Sequence, residues 1–337
     1  MNRTYLAFGS TLAVGVLLAG CGGTTSPSPA GSVRSSGAGP APAVRTADAI
    51  GVLDALQKAA DDNGGNRASG RPGFDASLKL VRERLEKAGL TTRVEEFTVP
   101  GSGRRTANLL AELPGTAPDK VLMAGAHLDS VDAGPGINDN GSGVAVLVAA
   151  AEAMSRADSR PARTVRFAFW GAEEQGLAGS LAHVSKLAPA EASRLVGYVN
   201  FDMTATKGGH YGILDARKES LGRLPEQVRP VFDELRFPAG SDRIQKVLES
   251  AYRAQGATPE PDLTTAASTD SYPFQLKLPG VPVGGIVMLN EQPVTKDGVL
   301  LFAPCYHQAC DGRDNIDEGV LEKNLRAAHR ALTELAA

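Results

Sequence analysis

The chain has 337 residues, a formal net charge of -3 at pH 7 and 42% hydrophobic residues. This length is enough for one large domain or two ordinary ones with a buried core. The charge gives no electrostatic reason for binding nucleic acid, and the sequence has no basic stripe, so we expect no nucleic-acid partner.

The amino-terminal segment has the pattern of an export signal. Arg3 precedes an apolar run at residues 5–19, and residues 18–21 read Leu-Ala-Gly-Cys. A basic start, an apolar core of about 15 residues and small residues before a cleavage site are typical of a signal peptide, and this core is too short for a transmembrane helix. The ending resembles the bacterial lipobox, which implies cleavage before Cys21 and lipid attachment to its sulfur. An ordinary signal peptide that happens to contain a cysteine is the alternative.

This pattern divides the chain into three segments. We expect a lipoprotein signal peptide at residues 1–20 and an exported protein whose lipid on Cys21 anchors it to the outer face of the cell membrane, with release from the cell as an alternative. Residues 21–45 consist mainly of Gly, Ser, Thr, Pro and Ala, which bury too little apolar surface to fold, so a flexible linker is predicted. The remaining residues, 46–337, are expected to form one folded domain and a monomer.

The other two cysteines, Cys305 and Cys310, lie close together in a chain that is expected to be exported. Because thiols are oxidised outside the cytoplasm, a short-loop disulfide is predicted. Metal ligation by the pair is the alternative, but their spacing is not that of a zinc knuckle.

The first predicted elements of the domain are two helices and a hairpin. Apolar residues at helical spacing predict a helix at residues 50–60 and a second helix that is capped by Asp75 and stopped by Gly89. Alternating residues then predict strands at 91–99 and 107–113, which would form a hairpin at the edge of a sheet.

The pattern next changes to buried strands separated by helices. Residues 121–126, 164–170 and 195–201 form short runs rich in Val, Leu, Phe or Ala, as expected of strands buried on both faces. Helices are predicted between them at residues 144–156 and 177–187. These steps predict an α/β fold with a mostly parallel sheet and right-handed connections.

The last third of the chain is less regular. A strand is predicted at residues 211–214, a helix at 242–254, another strand at 281–289 and a final amphipathic helix at 321–335. The rest of residues 207–265 is expected to form Pro-rich loops.

Acidic and imidazole side chains follow the three buried strands. His127 and Asp129 follow the first, Glu173 and Glu174 the second, and Asp202 the third. Because parallel strands end at the same edge of a sheet, these side chains are expected to converge there.

Two further groups complete this candidate cluster. Asp139 lies in a Gly-rich loop after His127, and His307 lies between the two cysteines. Carboxylates and imidazoles without thiolate suit zinc, manganese or cobalt. The carboxylates would repel one another strongly without cations. Two metal ions could share one carboxylate, and each could bind one histidine and one further carboxylate. One carboxylate would then remain free to act as a base.

Five runs of the sequence together resemble the secreted bacterial di-zinc aminopeptidases, the leucyl aminopeptidase branch of peptidase family M28. The runs are Gly-Ala-His-Leu-Asp-Ser at 125–130, Gly-Ile-Asn-Asp-Asn-Gly-Ser-Gly at 136–143, Phe-Ala-Phe-Trp-Gly-Ala-Glu-Glu at 167–174, Asn-Phe-Asp-Met at 200–203 and Cys-Tyr-His-Gln-Ala-Cys-Asp at 305–311. Similarity extends from about residue 46 to the carboxyl terminus and includes residues 63–73. The resemblance implies the zinc exopeptidase fold, a three-layer α/β sandwich whose mixed, mostly parallel central sheet has helices on both faces.

The resemblance also implies two zinc ions per chain and a set of ligands. His127 and Asp202 would bind one ion, Glu174 and His307 would bind the other, and Asp139 would bridge them. A cis peptide bond would follow Asp139.

The implied reaction removes the first residue of peptides that have a free amino terminus. A water held between the ions would attack the first peptide carbonyl while Glu173, the general base, takes its proton. Tyr306 would donate a hydrogen bond to the oxyanion, and Asp129 would orient the imidazole of His127. The substrate ammonium suits a pocket that is floored by carboxylates.

The resemblance is incomplete at residues 267–274, where Ala-Ser-Thr-Asp-Ser-Tyr-Pro-Phe lacks an arginine and a histidine that secreted relatives carry around positions 268–271. The preferred amino-terminal residue is therefore not implied. Another zinc hydrolase on the same scaffold, such as a carboxypeptidase, an amidohydrolase or a glutaminyl cyclase, is the nearer alternative. A lipoprotein that binds metal or peptide without turnover is the more distant one.

Overall fold

The computed structural model describes residues 44–289, 294–296 and 299–337. The predicted signal peptide, Cys21 and all but the last residues of the predicted linker lie outside the described residues. No helix in the described ranges combines the length and the hydropathy needed to cross a bilayer.

The described chain forms nine α-helices and ten strands. The helices are α1 (Thr46–Asp61), α2 (Pro72–Lys87), α3 (Gly143–Ser155), α4 (Ala178–Lys186), α5 (Pro189–Ala192), α6 (Arg229–Glu234), α7 (Ser241–Arg253), α8 (Ser271–Lys277) and α9 (Glu318–Ala336). The strands are β1 (Thr91–Thr98), β2 (Arg105–Leu113), β3 (Ala117–His127), β4 (Arg163–Trp170), β5 (Leu195–Asp202), β6 (Gly212–Leu214), β7 (Glu260–Asp262), β8 (Val283–Val287), β9 (Val294–Lys296) and β10 (Val299–Leu301).

Eight strands form one mixed sheet in the order β1-β2-β4-β3-β5-β8-β6-β7. The central strands β4, β3, β5 and β8 are parallel to one another. The predicted hairpin, β1 and β2, pairs antiparallel at one edge, and β6 runs antiparallel to β8 near the other. The carboxyl ends of the four central strands therefore lie along one edge of the sheet.

Side chains of the central strands alternate between two cores, one on each face of the sheet. In β3, Leu122, Ala124 and Ala126 belong to one core, whereas Val121 and Met123 belong to the other. Helices α1, α2, α3, α7 and α9 contribute to the first core, and α4 and α8 contribute to the second. Because helices cover both faces of the sheet, the fold is the predicted three-layer α/β sandwich.

Helix α3 is buried along nearly its whole length. Every residue from 143 to 154 is buried, and the helix packs against α1, α2 and α9 as well as the sheet. A helix that is apolar all round requires such cover on all sides. Since α3 begins immediately after the Asp139 loop, the core fixes the end of that loop.

The prediction that Asp75 caps the second helix is wrong. Helix α2 begins at Pro72, its N-cap residue is Arg71, and Asp75 lies in the first turn. Proline suits the first helical position because its fixed φ is already helical and its missing N–H would have no partner there. Gly89 follows the helix with a φ of +86°.

The prediction that residues 207–265 hold one strand, one helix and Pro-rich loops is incomplete, because helix α6 and strand β7 also lie in this region. Residues 260–262 form β7, which pairs with β6 at the edge of the sheet. A three-residue segment of Glu, Pro and Asp carries no alternating pattern, and an edge strand is the place in a sheet that tolerates proline. Helix α8, just beyond this region, was not predicted either.

Candidate metal centre

Asp139 lies between two histidines. Its Oδ1 is 3.2 Å from Nε2 of His127, and its Oδ2 is 3.3 Å from Nε2 of His307. Nε2 of His127 is also 3.4 Å from Oδ1 of Asp202, and Nε2 of His307 is 3.0 Å from Oε2 of Glu174. The five predicted ligands therefore form two groups that share one carboxylate.

Secondary structure explains how these side chains meet. His127 is the last residue of β3, Asp202 is the last residue of β5, and Glu174 lies in the turn after β4. The loop that carries Asp139 turns back at Gly136, which has a φ of +60°. A Cβ at Gly136 would lie 2.4 Å from the carbonyl oxygen of Asp139, so no larger residue fits there without a shift.

The peptide bond between Asp139 and Asn140 is cis, as the resemblance implies. The side chain of Asn140 ties this bond to the neighbouring strand. Its Nδ2 donates to the carbonyl oxygen of Phe201 at 2.9 Å, and its Oδ1 accepts from the backbone N–H groups of Gly143 and Met203.

The electrostatics of the cluster indicate a need for positive charge. Burial raises the pKa of Glu174 to about 7, and it also raises the pKa of Asp202. Oε1 of Glu174 and Oδ1 of Asp202 are buried without a hydrogen-bond donor. Burial alone would lower the pKa of His307, but its hydrogen bonds to Asp139 and Glu174 outweigh burial and raise it to about 10. Bound cations would satisfy these carboxylate oxygens and relieve the repulsion between them.

The donor atoms present fit zinc. Two sets of three side chains, His127 with Glu173 and Asp202, and His127 with Asp139 and Glu174, each have ligand atoms within 4.8 Å of one another. Imidazole nitrogen and carboxylate oxygen are both common zinc ligands. The first set includes Glu173, which the resemblance assigns to catalysis instead, so the carboxylate of Glu173 lies at the cluster itself.

Glu173 is held in place by Asp129. The backbone N–H of Glu173 donates to Oδ1 of Asp129 at 3.1 Å. Burial raises the pKa of the Glu173 carboxyl well above its ordinary value. The same Oδ1 is 3.7 Å from Nδ1 of His127, beyond hydrogen-bonding distance, and the nearer acceptor for that ring nitrogen is the Asp129 carbonyl oxygen at 3.2 Å.

A disulfide between Cys305 and Cys310 closes the loop that carries Tyr306 and His307. The two rings stack, with centroids 3.7 Å apart, and Phe302 meets the Tyr306 ring edge-on. Tyr306 therefore lies directly against one of the predicted ligands.

A cavity of about 220 Å³ opens above the cluster, and Tyr306 is among its lining residues. Four apolar and four hydroxyl side chains complete its lining: Met203, Val287, Leu289, Phe302, Thr264, Thr265, Ser268 and Thr269. Ser268 and Thr269 belong to the segment in which the resemblance was incomplete. Small hydroxyl side chains thus line the cavity in this segment.

Three buried charged residues around the cluster were not predicted. Asp311 accepts hydrogen bonds from the loop that carries Asp139, Arg67 donates to the same loop, and Asp270 accepts from Ser180. Burial raises the pKa of Asp270 to about 7. Arg67 and Asp311 lie inside runs that carry the resemblance, but their spacing alone gives no sign of the backbone groups they bind.

The remaining histidines lie away from the cluster. Nδ1 of His183 is 2.8 Å from Oε2 of Glu95, and the ring packs against Trp170. His210 is 3.5 Å from Asp262, and His329 lies on α9.

Comparisons with known proteins show the family and the fold of the chain. Residues 108–332 match the model of peptidase family M28. The chain is 36% identical over 306 residues to leupeptin-inactivating enzyme 1 of Streptomyces exfoliatus, an alignment that covers 88% of this chain and 63% of that protein. It is 36% identical over 225 residues to an aminopeptidase of Pseudomonas aeruginosa, which covers 64% of this chain and 39% of that protein. The chain thus spans less than two thirds of the length of either relative.

The fold is also that of a solved structure, BSAP, a zinc aminopeptidase from Bacillus subtilis. The TM-score is 0.68 at 15% sequence identity, and the superposition covers 87% of this chain and 95% of that one. The described architecture is accordingly the zinc exopeptidase fold. Since the family model matches well over half of the residues, this chain belongs to peptidase family M28.

Proposed function

We propose that this protein is a zinc-dependent aminopeptidase that hydrolyses the amino-terminal residue of peptides at two zinc ions. The observation that carries the proposal is the position of Asp139, whose two carboxylate oxygens face different histidines at 3.2 and 3.3 Å. A carboxylate in this position can bind two ions at once. The name of the Pseudomonas relative supports the activity, and the matched family supports peptide hydrolysis.

The two ions would have separate ligands besides Asp139. His127 and Asp202 would hold one, and His307 and Glu174 would hold the other, because these are the pairs that meet within 3.4 Å. When bound, zinc ions lower the pKa of water and polarise a peptide carbonyl.

Glu173 would move the protons of the reaction. Its carboxylate lies at the cluster but is not needed as a ligand in the proposed assignment. Burial raises its pKa, which makes it a stronger base for accepting a proton that it can then give to the leaving amine. Tyr306 lines the same cavity, and its hydroxyl would donate a hydrogen bond to the carbonyl oxygen of the substrate as negative charge develops there.

The charge of the site accounts for selection of a free amino terminus. Four buried or largely buried carboxylates, Asp139, Glu173, Glu174 and Asp202, line the cavity. The α-ammonium of a peptide would be attracted to them, whereas an acylated amino group or an internal peptide bond lacks that charge. The apolar part of the lining would favour an uncharged first side chain.

We further propose that the chain is exported and anchored by a lipid on Cys21. The pattern of a basic residue, an apolar run and Leu-Ala-Gly-Cys at residues 18–21 supports this. Metabolic labelling with a radioactive fatty acid should mark the wild-type protein and leave Cys21→Ser unmarked. Equal labelling of the two proteins would contradict the proposed anchor.

A substrate panel with a metal analysis tests the activity. The purified protein should contain about two zinc ions per chain and hydrolyse leucine p-nitroanilide, while N-acetyl-leucine p-nitroanilide, which differs only in its blocked amine, should be cleaved poorly. Comparable rates on the blocked compound would indicate another hydrolase of the same scaffold. Bound zinc without hydrolysis of any compound in the panel would indicate a binding protein.

A further inference from the structure

Arg67 is fully buried and forms hydrogen bonds with the loop that joins His127 to Asp139. It lies between α1 and α2, and its guanidinium group donates to the backbone carbonyl oxygens of Leu128, Pro135 and Gly136. The contact from Nε to the carbonyl oxygen of Pro135 is 2.8 Å. One side chain therefore binds both ends of the loop.

Asp311 holds the next part of the same loop from the other side. Its Oδ1 accepts from the backbone N–H of Asn138 and its Oδ2 from that of Asp139, both at 3.0 Å. The carbonyl oxygen of Asp311 accepts from the N–H of Ile137 at 2.9 Å. Arg67 and Asp311 thus bind five consecutive residues of backbone, 135–139, through two carbonyl groups and three N–H groups.

Arg67 and Asp311 bind the loop next to Asp139, the carboxylate that the two ligand groups share. Asp311 binds the peptide N–H of the very residue whose side chain faces both histidines. It also follows His307 by four residues and comes directly after Cys310, which closes the disulfide loop that carries His307. A shift of Asp311 would therefore change the position of Asp139 relative to His307, and release of Arg67 would change it relative to His127.

A buried arginine can bind three backbone carbonyl oxygens at this position, which a lysine cannot do in the same way. The planar guanidinium has several donors in fixed directions and can reach three carbonyl oxygens, whereas an ammonium group is a compact point charge. Burial lowers the pKa of Arg67 to about 10, and four carboxylates, among them Asp139 and Glu174, act in the opposite direction. Arg67 therefore carries a positive charge close to the cluster at neutral pH.

We propose that Arg67 and Asp311 are positioning residues that hold the Asp139 carboxylate between the two histidines and thereby set the zinc affinity of the cluster. This inference rests on the metal-binding part of the proposed function and is independent of which bond the protein cleaves. Partners that hold a metal ligand in place commonly change metal affinity about 10- to 100-fold when they are altered.

A purely structural role would lower the Tm without changing the zinc affinity, so matched variants are needed. Arg67→Lys and Asp311→Asn alter the two residues conservatively, and Asp311→Glu keeps the charge but displaces it by one methylene group. Arg166→Lys is a matched control because Arg166 is 4% exposed and pairs with Glu112 and Glu191 rather than with the loop. Asp215→Asn is the second control, since Asp215 is fully buried and accepts from Ser220.

The experiment measures zinc affinity in the full chain. Each protein is stripped with a chelator, zinc binding is measured by competition with a chromophoric chelator, and the Tm is recorded with and without zinc. Arg67→Lys, Asp311→Asn and Asp311→Glu should bind zinc about 10- to 100-fold more weakly and show a smaller zinc-induced rise in Tm. The controls should lower the Tm of both forms equally and keep wild-type affinity.

Two results would overturn the inference. One is wild-type zinc affinity in the Arg67 and Asp311 variants with an equal loss of Tm in both forms, which would show a purely structural role. The other is a wild-type protein that binds no zinc. A wild-type protein that binds zinc but cleaves no peptide would contradict the aminopeptidase proposal, and weaker zinc binding by the variants would still support the inference.

Discussion

The backbone N–H of Glu173 donates a hydrogen bond of 3.1 Å to Oδ1 of Asp129. This bond joins the turn after β4 to the residues that follow β3, and these two strands are parallel neighbours in the sheet. The position of the proposed base is therefore coupled to the segment that follows the ligand His127.

Replacing Asp129 by alanine should impair both catalysis and stability. The N–H of Glu173 would lose its acceptor, and a buried unsatisfied donor costs about 1–3 kcal/mol. We expect kcat on leucine p-nitroanilide to fall about 10- to 100-fold because the base is no longer held. The control is Asp132→Ala, since Asp132 is exposed and pairs with Arg71. An unchanged kcat in Asp129→Ala would show that this bond does not position Glu173.

Replacing Glu173 by glutamine should abolish most turnover while zinc remains bound. The amide has nearly the same shape but cannot accept a proton, so kcat should fall about 10²- to 10⁴-fold. Glu174→Gln is the contrasting variant because Glu174 contacts His307 and should be needed for zinc binding itself. Full activity in Glu173→Gln would disprove the proposed base.

Replacing Tyr306 by phenylalanine isolates its hydroxyl group. Phenylalanine can keep the stacking on His307, so zinc content and KM should change little. Loss of one donor to a developing oxyanion typically lowers kcat about 10²- to 10³-fold. Tyr211→Phe is a suitable control because Tyr211 packs against Tyr252. A fall in zinc content that matches the fall in kcat would point to a structural role for Tyr306.

Removing zinc with a chelator should lower the Tm. The buried carboxylates of Glu174 and Asp202 would then lack cations, and anything that binds only the folded state stabilises it by mass action. Adding zinc back should restore the Tm, while adding magnesium, which prefers oxygen ligands alone, should not. A Tm that is the same with and without zinc would contradict metal binding by the folded cluster.

The zinc-free protein should also lose stability as the pH rises. Burial raises the pKa of Glu174 from 4.5 to about 7, so the folded chain binds more protons than the unfolded chain between these values. The stability associated with this carboxyl is therefore present below about pH 4.5 and is lost by about pH 7. His307, whose pKa is raised from 6.5 to about 10, acts in the same direction at higher pH. Urea unfolding at several pH values should show this slope in the zinc-free protein and a smaller one with zinc.

The sequence predicted the centre of the fold well because its elements have strong local patterns. Strands β3, β4 and β5 contain largely apolar runs, and α3 lacks a polar face, so burial on both faces could be inferred without knowing their neighbours. Strand β7 and helix α8 were missed because neither has such a pattern. The three residues of β7 pair with β6, which lies far from them in the sequence. Helix α8 contains a proline, which disfavours a helix prediction.

The candidate site could be predicted in part for the same reason. Residues at the carboxyl ends of parallel strands lie at the same edge of the sheet, which predicted that His127, Glu174 and Asp202 are close together. His307 was predicted from the resemblance and from its residue type, because no local pattern places the disulfide loop beside that edge. The roles of Arg67 and Asp311 could not be predicted, since the groups they bind are backbone atoms that any sequence possesses.

The order of the ligands along the chain has a consequence for how the protein matures. Asp139 lies close to His127 in the sequence, but its second neighbour, His307, follows much further along the chain. A nascent or clipped chain that ends before His307 would keep the four carboxylates of the centre but lack one of its two histidines. Binding of both zinc ions should therefore require a chain that extends at least through the disulfide loop, and an assay of zinc content would distinguish such chains from shorter ones.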